Sequence, residues 1–141
     1  MASVPPAPFR LLHPLHAILL AFPIALFSAA LLSDITYLNT AEIQWTNFSA
    51  WLITGGLVFG SPALLWALIL LVRRRDTGRR DILVYFLLVA VMWVAALINA
   101  FQHSRDAWSS VGTTGLILSI VSTLAALAAG WVGHSGWRSV R

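Results

Sequence analysis

Four long apolar runs alternate with short polar segments along the chain. They extend over about Leu15–Ser33, Phe48–Val72, Ile82–Phe101 and Val111–Gly133. A helix crossing the hydrocarbon core needs about 20 predominantly apolar residues, and each run supplies them. The pattern therefore predicts four transmembrane helices. The intervening segments, Asp34 to Asn47, Arg73 to Asp81 and Gln102 to Ser110, are too short to recross a membrane, so neighbouring spans must run antiparallel. Backbone groups in lipid have to bond within their own helix. The expected fold is thus an all-α membrane protein: a four-transmembrane-helix antiparallel bundle, with residues 1–141 forming a single four-span domain. Arg10, the first apolar run and the small residues Ser28 to Ala30 imitate a signal peptide, but His13, Pro14 and His16 interrupt its basic region. The run is long enough to span and is read as a span.

Composition narrows the function classes. Apolar residues make up 59% of the chain and charged residues 10%, whereas soluble domains carry charge on about a quarter of their residues. No room remains for a soluble catalytic domain. With no cysteine, thiolate metal sites, disulfides and thiol nucleophiles are excluded. The net charge of +4 comes from arginines in the connections, so the bilayer and not nucleic acid is the expected partner.

Those arginines also give a direction. Arg10, Arg73, Arg74, Arg75, Arg79, Arg80, Arg138 and Arg141 fall on one side and only Arg105 on the other. The positive-inside rule then places both termini and the central loop in the cytoplasm. Tyr37, Trp45, Trp51 and Trp108 fall at the outer interface, and Trp66, Tyr85, Trp131 and Trp137 at the inner one, as amphipathic rings prefer. Small residues recur every four positions at Ala17, Ala21, Ala25, Ala29 and Ser33, at Gly56 and Gly60, and at Ser122, Ala126 and Gly130. Such rows let helices approach closely, although a step of four residues drifts by about 40° round the helix.

Histidines are the candidate ligands. His13 and His16 share one face at the cytoplasmic end of the first span, and His134 ends the fourth at the same level. These three are the candidate cofactor-binding residues, for a b-type haem held between helices. The alternative is that they are interfacial rings meeting water or lipid phosphate. His103 lies at the opposite end, about 30 Å of hydrocarbon away, and cannot share an iron with them. No metal site is expected, because three or four converging ligands are needed. The outer end gathers Asp34, Asn99, His103, Arg105 and Asp106, the candidate residues for docking or proton exchange with a periplasmic partner. The competing structural expectation is that Asp34, Arg105 and Asp106 pair together while Asn99 bonds a neighbouring helix. No Asp, Glu or Arg lies near a span centre, and no paired repeat is evident, which argues against a pump or coupled transporter. Catalytic residues are not expected.

Three stretches resemble the bacterial membrane family named domain of unknown function 2231: His13 to Gly60, Asn99 to Ser119 and Ala128 to Val140. The most specific parts are the His-Pro start, "FPIAL" at Phe22 to Leu26, and the Gly-Trp-x-Gly of Gly130 to Gly133. Many relatives carry histidine before the Phe-Pro pair, where this chain has Ala21; that departure removes the ligand deepest in the first span. The resemblance implies a multi-pass protein of the bacterial inner membrane. Its relatives are often encoded beside periplasmic sugar dehydrogenases and cytochromes, which suggests a partner in electron transfer. The expected function is a small inner-membrane subunit or anchor for a periplasmic redox partner, a dehydrogenase or cytochrome, with no catalysis of its own. The alternative is a haem b electron carrier exchanging electrons with the quinone pool. A homo-oligomer is a further candidate assembly.

Overall fold

In a computed structural model, which describes residues 12–73, 79–105 and 111–135, the apolar runs form α1 (Pro14–Thr40), α2 (Ile43–Arg73), α3 (Arg79–His103) and α4 (Gly112–His134). All four are long and apolar enough to cross a membrane. Each of α1 and α3 packs broadly against both α2 and α4, so α1 and α3 occupy opposite corners of a square bundle.

The first connection is much shorter than the hydropathy suggests. The sequence places a loop over Asp34 to Asn47, but α1 continues to Thr40 and α2 begins at Ile43. Polar side chains in the extra turns bond carbonyls one turn back: Thr36 to Leu32, Asn39 to Ile35 and Thr40 to Thr36. Their polar groups are thereby satisfied on the helix itself. Ser33 Oγ also donates to the Trp45 carbonyl across the corner, at 2.8 Å. Ala41 closes α1 in the left-handed region (φ 57°), with its N–H on the Tyr37 carbonyl.

The exterior is apolar and the interior contains polar groups, as a lipid solvent allows. Leu32, Phe101, Trp51 and Trp131 are among the exposed side chains, whereas His16, Asp34, Ser49, Asn99, His103, Ser119 and Ser122 are buried. Buried positions along α1 follow heptad spacing at His16, Leu20, Pro23, Phe27, Ala30 and Asp34. Along α3 they are Tyr85, Val89, Met92, Ala96, Asn99 and His103. The two stripes are in register, and the pairs at their ends, His16 with Tyr85 and Asp34 with His103, are each separated by 69 residues. The diagonal helices therefore run parallel and meet on the bundle axis.

Small residues on α2 and α4 admit this axis. A Cβ at Gly56 would lie 2.2 Å from the Phe27 ring, and one at Gly133 would lie 2.6 Å from Leu12 and 3.2 Å from Tyr85. The four-spaced row of α1 drifts off the packing face, as its spacing predicts: Ala21 and Ala25 are exposed while Ser33 is buried. The drift of a four-residue step carries the row off the packing face, and the heptad stripe takes its place.

Candidate functional site

The diagonal register creates one polar pair at each end of an apolar axis. His16 and Asp34 stand 18 residues apart on α1, as do Tyr85 and His103 on α3. Eighteen residues make five helical turns, a separation of about 27 Å on a single face. Between the pairs lie Leu20, Phe27, Val89, Met92 and Ala96, all essentially inaccessible.

At the end where α1 and α3 begin, His16 Nε2 and the Tyr85 hydroxyl are 2.6 Å apart and buried. Trp66 of α2 lies against both His16 and His13, with ring centroids at 5.4 and 5.7 Å. His13 is exposed and caps α1, its Nδ1 accepting from the Leu15 N–H at 3.3 Å. His134 is also exposed; its Nδ1 bonds the Gly130 carbonyl of its own helix at 2.8 Å. It lines a lipid-side groove with Ile24, Leu127 and Trp131. The three candidate cofactor residues thus share a membrane level but face different surroundings: His13 the surface, His16 the bundle axis, His134 an outer groove. Nδ1 of His16 is buried without a hydrogen-bond partner among the described residues.

At the opposite end, α1, α3 and α4 join through one hydrogen-bonded chain. His103 Nε2 meets Asp34 Oδ1 at 2.9 Å, and its Nδ1 meets the Asn99 carbonyl at 3.0 Å. The Ser119 hydroxyl donates to Asp34 Oδ2 and accepts from Asn99 Nδ2 at 2.7 Å. A carbonyl only accepts, so the Nδ1 proton of His103 is assigned by its partner. Ser49 from α2 and Thr123 from α4 complete the layer by donating to the Ala30 and Phe27 carbonyls.

Three of the candidate docking residues lie inside this layer. Asp34, Asn99 and His103 do not face outward; they are buried and joined by hydrogen bonds, with Asn99 Oδ1 left without a partner among the described residues. A buried carboxylate needs close partners, and the diagonal histidine provides one. The expected pairing of Asp34 with Arg105 is replaced by Asp34 with His103, while Asn99 bonds a neighbouring helix as the structural alternative expects. Arg105 alone of the described docking residues is exposed; Asp106 lies outside the described residues. Sequence reasoning missed Tyr85 and Ser119 as partners. The signal was the shared 18-residue spacing of His16–Asp34 and Tyr85–His103, which marks matching faces on two helices.

A shallow polar groove adjoins the Asp34–His103 layer, lined by Gln44, Asn47, Ala50, His103 and Arg105 among others. Among the described residues, no group of three or more His, Asp or Glu side chains converges as a metal site would require. No curated protein and no solved structure matches the chain. Residues 12–140 match the model of the family DUF2231, described as a predicted membrane protein. Covering nearly the whole four-helix bundle, that match shows that this multi-pass membrane protein belongs to DUF2231.

Proposed function

We propose that the protein is a non-catalytic membrane subunit that anchors a redox partner at the end of the bundle carrying Arg105. The observation behind this reading is the division of the surface. Large apolar side chains clothe the sides of all four helices, whereas Gln44, Asn47 and Arg105 form a polar groove at one end. Lipid suits the former and a water-soluble partner the latter. The arginine distribution supports placing that end in the periplasm of a bacterial inner-membrane protein. Photo-crosslinkers at Gln44 and Asn47 should capture one periplasmic redox protein from native membranes, while a crosslinker at lipid-facing Leu65 should not. A chain that runs alone in every mild detergent, without an adduct, overturns the proposal. Reporter fusions at both termini test the orientation; a periplasmic signal from the C-terminus would reverse it.

The second reading, a haem b electron carrier, draws support from the buried and unpartnered Nδ1 of His16. Nε2 is already committed to Tyr85, so Nδ1 is the atom left for iron. His134 as the second axial ligand requires turning its ring from the outer groove. A reduced-minus-oxidised spectrum after haem-replete expression tests this. A Soret change lost in His16→Ala and His134→Ala, and kept in His103→Ala, is expected; a colourless protein removes the reading.

A further inference from the structure

The end groove has a volume of about 380 Å³ and is lined by Ile43, Gln44, Asn47, Ala50, His103 and Arg105, together with Thr46. That volume falls at the small end of ligand sites, which span about 300–1,000 Å³. Its charge is unusual. Arg105 is exposed, and among the described residues it forms no ion pair, Asp34 being paired with His103.

Both oxygens of Asp34 are occupied, one by His103 and one by Ser119. Both nitrogens of His103 are occupied as well. Among the described residues that line the groove, Arg105 is the one with a permanent charge. The side-chain amides of Gln44 and Asn47 add donors, and Ile43 and Ala50 add an apolar floor. A guanidinium offers a planar fork of N–H groups matched to an oxyanion.

We propose that this groove binds a singly charged oxyanion, with Arg105 as its counterion and the amides of Gln44 and Asn47 as orienting donors. A carboxylate of a small soluble acid and the phosphodiester of an anionic lipid headgroup share this chemistry. The inference does not depend on a partner protein, since binding without any crosslinked partner would leave it standing.

The test uses the full chain in nanodiscs of neutral phosphatidylcholine, following the Arg105 Nε–H signal by NMR. Potassium acetate and dimethyl phosphate are titrated separately, with potassium chloride as the ionic control. A saturable shift with an oxyanion and none with chloride is expected. Arg105→Gln should weaken binding about tenfold or more, as followed on the Asn47 side-chain amide, because a hydrogen bond to a charged group carries about 1.5–3 kcal/mol. Arg80→Gln, at the opposite end, should leave the affinity unchanged. Equal responses to chloride and oxyanions, or undiminished binding in Arg105→Gln, overturn the proposal. Nanodiscs containing phosphatidylglycerol separate the sources. An Arg105 signal already at its bound position, and unresponsive to acetate, assigns the site to a lipid headgroup; unchanged acetate affinity assigns it to a soluble anion.

Discussion

The two ends of the α1–α3 diagonal occupy equivalent positions in the bundle yet solve different problems. His16 and Tyr85 form a single contact beneath Trp66. Asp34 and His103 join a chain through Ser119 and Asn99, next to a polar groove. The single contact leaves Nδ1 of His16 without a partner among the described residues, whereas a carboxylate in a low-dielectric interior needs close partners for both oxygens. Asp34 on α1 is therefore bonded to groups from α3 and α4, in a layer that Ser49 of α2 also joins. Asp34 is engaged by His103 and Ser119 and not by Arg105, and that is what distinguishes this end chemically.

The largest way to break the contrast is Asp34→Ala. Stranding the other member of a buried ion pair costs about 3–5 kcal/mol, read as lost resistance to denaturation in detergent. Asp34→Asn should lose much less, because the amide retains one acceptor and one donor. Equal losses would show that shape and not proton sharing holds this layer. Next comes Gly56→Ala, expected to cost about 1–3 kcal/mol through overpacking against Phe27. Combining it with Phe27→Leu should recover part of that loss; additive losses would place the strain elsewhere.

At the other end, Tyr85→Phe removes one intramembrane hydrogen bond, worth about 0.6–1.7 kcal/mol. A cost matching Asp34→Ala would make the two ends energetically alike and end the contrast. Smallest is Arg105→Gln, expected within about 0.5 kcal/mol of the parent because the residue is exposed and away from the packed layers. Intact stability with lost oxyanion binding would sharpen the division between a structural layer and its neighbouring groove.

Much of the architecture was legible in the runs of apolar residues. All four spans were located, and the largest boundary errors fall at the first connection. There Thr36, Asn39 and Thr40 look like loop residues, but they bond their own helix. The candidate site was half legible. Asp34, Asn99 and His103 were grouped by depth and set between a docking and a packing role; in the packing role Asp34 was expected to pair with Arg105 and Asp106, and the structure gives it His103 and Ser119. Spacing along one helix gives depth and face; it does not say which face turns inward. The recurrence of buried positions between α1 and α3 was hidden for a related reason. Burial repeats along the two stripes while residue types do not, with Phe27 answered by Ala96 and Asp34 by His103.

The sequence by itself determined that this chain lives in lipid, in four antiparallel helices, because the cost of desolvating backbone and charge is set by composition and run length. Only the tertiary structure decided which polar residues meet. In a bundle whose exterior is already apolar, hydropathy cannot choose the inward face. That choice falls to close packing at Gly56 and Gly133 and to the mutual satisfaction of His16 with Tyr85 and of Asp34 with His103 and Ser119.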